Sequence, residues 1–222
     1  MIKEYLHSKS MTLVFLGDFN PILFQPLWFA EKKLIMEGEA QQADIEILHP
    51  NLTKFKLDWV EFEINPGRLE MKISKEPFFE PARDLIVGIF KYLKGTPIRS
   101  LGINHTKNFS VPTREMYYDF GNKLVPLALW SNFMDDPRVN IVEILEKPRK
   151  DKLPGMIRVR ITPTLPHLNI QFGVSMNVND HYQLEEGRKD REGEILNTLV
   201  MQWDYSKTRS DEIVDSLLEK LN

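Results

Sequence analysis

Cysteine is absent from all 222 residues, which removes disulfides, thiolate nucleophiles and cysteine-ligated zinc and fits a reducing compartment. Also missing is any apolar run approaching the length of a membrane span. The segment Met1–His7 is polar and lacks the apolar core of a secretion signal. The sequons at Asn51, Asn104 and Asn108 therefore read as incidental, and a cytoplasmic protein without a membrane association is expected. Charge of one sign is scarce: 29 Lys and Arg against 32 Asp and Glu leave a formal −3. Nucleic acid is not indicated as a partner, because phosphate backbones call for a concentrated basic surface. Gly-x-Ser-x-Gly, Walker-type and dinucleotide-binding glycine motifs are all missing, and with them any support for covalent or nucleotide-dependent chemistry. The five histidines are scattered and none has His-Glu-x-x-His spacing, so no metal and no cofactor is predicted.

What is present is an ordinary globular balance, 42% apolar and 27% charged, in a chain long enough to bury a substantial core. The clearest unit runs from Trp59 to Val111. A hairpin over 57–74 pivots on Asn65-Pro66-Gly67-Arg68, whose proline and glycine suit the second and third positions of a type II turn. Counting outward pairs Ile64 with Leu69, Phe62 with Met71 and Val60 with Ile73 on an apolar face. The other face sets Glu63 opposite Glu70 and Glu61 opposite Lys72. Phe55, Leu57 and Trp59 have the opposite parity to Val60, Phe62 and Ile64, and a β-bulge near Trp59 would reconcile them. A helix over 77–94 follows, with Leu85, Ile86, Ile89 and Leu93 at helical spacing and Gly95 and Pro97 as the stop. A strand over 98–109 completes the unit. Upstream, Met11–Gly17 reads as a buried strand, and Ala43, Ile45 and Ile47 mark a half-buried one.

Beyond Pro112, Thr113 is placed to cap a helix reaching about Asn122. Strands are predicted at Val142–Leu145, Ile157–Ile161 and, as the longest regular one, Leu168–Val178. The basic connection 147–155 reads as an exposed loop and the charged stretch 185–194 as a solvated junction. Two closing helices are expected, one burying Ile195, Leu199 and Trp203, the other capped by Ser210 and burying Val214, Leu218 and Leu221. The fold class is α+β: antiparallel sheet with helices packed on one face, in two similar-sized β-rich halves, 1–111 and 112–222.

The runs Ala82-Arg83-Asp84-Leu85 and Pro97-Ile98-Arg99-Ser100-Leu101-Gly102-Ile103-Asn104-His105-Thr106-Lys107-Asn108-Phe109 resemble a sporadically distributed family of uncharacterised bacterial proteins. In that family a helix leads into an "lgl-x-tyr-x-asn" strand, and an amphipathic helix follows a long C-terminal strand. His105 stands where the pattern has an aromatic residue, and Thr106 where it has an aliphatic one. The family carries no catalytic assignment to transfer. Phe24-Gln25-Pro26-Leu27-Trp28 is similar, over a short stretch, to SecB-like export-chaperone domains, which also combine antiparallel sheet with helices.

Two function classes follow. Glu63, Glu70 and Lys72 on the polar face of the hairpin match the Glu-x-Lys arrangement with which metal-dependent phosphodiesterases hold Mg²⁺ and activate water. Alternating charge is equally what the solvent side of any antiparallel sheet displays, and no residue is assigned a catalytic role. Against this, Phe24, Trp28 and Phe29 form an apolar cluster that, if exposed, would anchor a protein partner. Gln171, on the outward face of the Leu168–Val178 strand, and Leu218, on the terminal helix, mark two routes to a homodimer. The expectation is a non-enzymatic cytoplasmic interaction or assembly protein, self-associating, with a place in a multi-gene bacterial module.

Overall fold

The computed structural model describes residues 5–184 and 191–221. Nine strands form one sheet: β1 (Leu6–Gly17), β2 (Asp44–His49), β3 (Leu52–Lys56), β4 (Val60–Asn65), β5 (Arg68–Ile73), β6 (Ile98–Ser110), β7 (Val142–Glu146), β8 (Gly155–Pro163) and β9 (Gly173–Gln183). Their order is β2-β3-β4-β5-β1-β6-β9-β8-β7, and every neighbouring pair is antiparallel. The fold is α+β, with 37% helix and 35% strand. The chain before Pro112 supplies six strands and the chain after it three, all to that single sheet.

Strict alternation keeps the two faces of the sheet chemically distinct. On one face Met11, Leu13 and Phe15 of β1 sit beside Leu69, Met71 and Ile73 of β5 and Leu101 and Ile103 of β6. All eight are buried. Helices α1 (Pro26–Glu31), α2 (Glu37–Gln41), α3 (Phe79–Tyr92), α4 (Arg114–Leu124) and α5 (Arg191–Leu221) cover this face. α3 buries Leu85, Ile86, Ile89 and Phe90 in the same cluster as Phe62, Met71 and Ile73, and Phe90 meets Phe15, Phe19 and Phe24 at ring distances of 5.5–6.5 Å.

The hairpin register is as the alternation requires, Val60 to Ile73, Phe62 to Met71 and Ile64 to Leu69. Its turn differs from expectation. Gly67 lies outside the left-handed region, and the Asn65 Oδ1 accepts the Gly67 N–H at 2.9 Å, so a side-chain bond rather than a glycine φ shapes the reversal. The parity change at Trp59 is also not a bulge. β3 ends at Lys56 and β4 begins at Val60, with the Leu57 N–H bonded to Val60 O at 2.8 Å. Two antiparallel strands joined by a short turn produce the same parity switch as one bulged strand.

Two further differences lie in the second half. The stretch expected as the strand Leu168–Val178 begins with a 3-10 turn at Pro166–Leu168. Asn169 and Phe172 then take φ of 51°, which no strand accommodates. β9 starts only at Gly173. The two closing helices are one, the 31-residue α5. No glycine or proline interrupts it after Gly193, and Ser210 is a buried interior residue instead of a cap. Of the charged stretch 185–194, residues 185–190 lie outside the described residues, as does the side chain of Leu221.

Ile89→Ala, at a side chain fully buried between α3 and the sheet, is expected to cost roughly 2–5 kcal/mol, read as a lowered thermal midpoint by circular dichroism.

Candidate interaction surface

The hairpin carboxylates lie on the uncovered face of the sheet. Glu63 faces Glu70 across the β4–β5 pair, but Glu70 is already neutralised, accepting from Arg68 and from Lys72 at 3.0 Å. Burial alone would raise the Glu70 pKa; those two cations hold it below its ordinary value. Glu61 pairs with Lys56 at 2.7 Å. No group of three or more His, Asp or Glu side chains among the described residues is placed to hold a metal ion. Glu70 and Lys72 are thus ion-paired on the uncovered face of the sheet, with Glu63 across the strand pair from Glu70.

The aromatic cluster is core. Phe24 and Phe29 are buried, Phe29 against Phe55 and Phe62 at 5.8 and 5.5 Å. Trp28 is half-buried against Tyr92. Phe24 closes the 3-10 turn at Pro21–Leu23, and α1, which starts at Pro26, places Phe29 on the sheet. Gln171 falls in the turn before β9, so it is not on a strand. β9 is itself a central strand, paired with β6 and β8 on its two sides, and offers no edge for a dimer. Its neutral outward side chains do bond across a strand partner, but within the chain: Asn177 donates to Thr106 at 2.8 Å and Asn179 to Asn104 at 2.5 Å. Leu218 is also unavailable, since it packs with Val214 against the sheet.

A buried polar belt crosses the covered face. Along β6 the inward residues run Leu101, Ile103, His105, Lys107, Phe109. Along β9 they run Tyr182, Asp180, Val178, Met176, and along α5 Trp203, Ser206, Ser210, Val214. Each element reads apolar, polar, apolar, and the polar stretch separates two hydrophobic clusters. Asp180, 0% exposed, accepts from Arg209 at 2.6 Å and pairs with Arg149 at 3.1 Å. Arg149 also binds Asp151 bidentately at 2.9 and 2.6 Å and lies 4.3 Å over the Tyr182 ring. Burial would lower the Arg149 pKa, yet the Asp151 bonds and the neighbouring Tyr182 and Asp180 raise it. The connection read as a simple exposed loop is pinned by this side chain, which is 2% exposed. Beside it, Lys107 pairs with Asp211 at 2.5 Å and His105 Nε2 lies 3.1 Å from Ser206 Oγ. Ser206 is fully buried, so this His–Ser pair has no access to a substrate and acts in packing.

The surface that sequence reasoning missed lies between α4 and β7. β6 ends mid-sheet while β7 is at the far edge, so the connection must cross β9 and β8. It does so through α4, a 3-10 turn at Leu127–Trp130 and a strap to Ile141. Thr113 caps α4 through its bond from the Met116 N–H at 3.2 Å. The strap is fastened to α4 by Arg138, whose guanidinium lies 3.5 Å over the Tyr118 ring and pairs with Asp136. Arg114 binds the Tyr118 hydroxyl at 2.8 Å. Beneath the strap is a cavity of about 610 Å³ whose lining includes Tyr117, Phe120, Leu127, Val139, Ile161 and Val174. Above it the apolar side chains face solvent: Leu129 is 73% and Phe133 81% exposed, and Trp130, Met134, Ile141 and Ile144 join them, with Leu145 exposed on the opposite face of β7. Seven exposed large apolar side chains in residues 129–145 form a density that isolated surface residues do not reach. The signal was legible in kind, because Leu127–Trp130 with Phe133 and Met134 is as rich as Phe24–Phe29. No protein-family model and no curated protein matches the chain, so the functional reading rests on this geometry.

Two outcomes follow from the belt. Arg149→Met leaves the Asp180 carboxylate with one cation and Asp151 with one fewer, and is expected to cost roughly 3–5 kcal/mol by urea unfolding. Burial pushes His105 down from 6.5 to about 4, with Lys107 and Lys207 reinforcing and Asp211 opposing. Between those values the unfolded chain holds a proton that the folded chain refuses, so stability falls as pH drops from 6.5 toward 4, by roughly 3 kcal/mol. His105→Gln should make the fall of the urea midpoint across that window shallower.

Proposed function

We propose that this chain is a non-enzymatic interaction or assembly component of the cytoplasm, that it self-associates, and that it does so through the apolar surface of residues 127–146. The carrying observation is that surface: solvent-facing Leu129, Trp130, Phe133 and Met134 beside an outer strand with Ile144 and Leu145 exposed. Aromatic and long aliphatic side chains gathered this way are what association sites present. No helix among the described residues is long and apolar enough to cross a membrane. Membership in the sporadically distributed bacterial family that 82–109 resembles, and with it a place in a multi-gene module, belongs to the same reading. The phosphodiesterase alternative has weaker support, because Glu70 is committed to Arg68 and Lys72.

Light scattering should return a mass above the 26.0 kDa chain for the wild type. Trp130→Ser with Phe133→Ser should lower it to the chain mass while the far-UV circular dichroism spectrum stays that of the folded wild type. A variant that keeps the wild-type mass would contradict the assignment of the surface. Glu70→Ala with Lys72→Ala should leave any cellular phenotype intact, and loss of that phenotype would favour the enzyme instead.

A further inference from the structure

The outer strand itself carries more than apolar exposure. β7 and β2 bound the sheet, and each leaves one row of backbone N–H and C=O groups facing outward. β7 contains no lysine or proline to discourage pairing. It presents Ile144, 63% exposed, on the covered face and Leu145 on the open one.

We propose that β7 recognises β7 of a second copy, antiparallel about a two-fold axis through Ile144 and perpendicular to the sheet, so that two nine-stranded sheets continue into one. This deepens the reading of the chain as a self-associating component and rests on it. A two-fold axis perpendicular to the sheet keeps the faces in line and pairs residues of equal parity. Centred on Ile144, all five residues of the strand are paired: Ile144 meets its own copy, Val142 meets Glu146 and Glu143 meets Leu145. No like charges stand opposite each other. Moving the centre by one residue leaves only three strand residues paired, and moving it toward Glu143 sets that carboxylate against itself.

Charge on either side of the strand favours the same arrangement. In an antiparallel pair the segment before β7 in one copy runs beside the segment after β7 in the other. The segment before it carries Asp135 and Asp136, the latter paired with Arg138, the one cation there. The segment after it exposes Lys147, Lys150 and Lys152, while its one acid, Asp151, is engaged by Arg149 and Arg209. Symmetry brings the acidic end onto the basic end twice, steering the copies into this register. β2 has no such complement: its own acids Asp44 and Glu46 are followed only by His49-Pro50 before β3 turns back.

The absence of cysteine makes the test direct. Ile144→Cys supplies the only thiol, and residues opposed across antiparallel strands have Cα atoms about 4.5–5.5 Å apart, within disulfide reach. Mild oxidation of I144C should convert the protein to a reducible species of twice the 26.0 kDa chain mass. Ile47→Cys, at an exposed position of the other outer strand, β2, should stay at the chain mass. Ile144→Lys should keep the far-UV circular dichroism spectrum of the folded wild type and scatter at the chain mass. If I144C fails to cross-link while the wild type scatters above the chain mass, the β7 pairing is overturned and self-association stands through another surface. A wild type at the chain mass at every concentration overturns both.

Discussion

Asp180 sets the terms on which the rest of this structure is assembled. A carboxylate with no exposure to water costs several kcal/mol unless it is paired and hydrogen-bonded. Its partners come from two distant places, Arg149 from the connection between β7 and β8 and Arg209 from α5. Satisfying it therefore fixes a loop, a central strand and the long helix relative to one another. The belt of His105, Lys107, Ser206 and Ser210 extends that constraint across the helix–sheet interface. A slip of α5 by one turn, about 5.4 Å, would carry Trp203 or Val214 onto the belt and the serines onto hydrocarbon. Polar groups in this core act as a registry device between two hydrophobic clusters that would separately tolerate several helix positions.

The same arrangement explains why the apolar surface lies where it does. With β9 held at the centre between β6 and β8, the chain leaving β6 has to reach the outer edge to begin β7. It crosses on the covered face, where α4 buries Phe120 beneath it and its own outward side chains have nothing above them. α5 lies over β6 and β9 and does not extend across the strap. The apolar residues of 129–145 are thus stranded outside the core by topology, and β7 is stranded at the edge with them. An exposed apolar surface and an open strand coincide because one crossing produces both.

Much of the first half was legible because it obeys local rules. Period-2 alternation on either side of a Pro-Gly turn gave the β4–β5 register residue for residue, and helical spacing ended by Gly95 gave α3. The errors arose where distinct structures share a pattern. A bulge and a tight turn both invert parity, so Trp59 did not reveal β4 as a new strand. Leu168, Ile170 and Phe172 continue the alternation of β9, yet Asn169 and Phe172 are left-handed, and only tertiary pairing shows where the strand begins. Ser210 reads as a cap when its buried partner strands are out of sight. Phe24–Phe29 and Leu127–Met134 are alike in composition, and one is core while the other faces water because α3 packs against the first, through Phe90 and Tyr92, and the outward side chains of the second have no element over them. Arg149 is the hardest case: nothing local marks it from Lys147, Lys150 or Lys152, and its burial follows from an aspartate thirty-one residues downstream.

Native-state hydrogen exchange resolved by segment tests the registry role most directly. If the belt keys α5 to the sheet, the amides of α5 from Ile195 to Val214 exchange with those of β6 and β9 in one cooperative opening, at the free energy of global unfolding. In Asp180→Asn that opening remains single and moves as a whole to lower free energy. Exchange of α5 orders of magnitude faster than β6 and β9 in the wild type would show a helix resting on the sheet without being keyed to it, and would contradict the account.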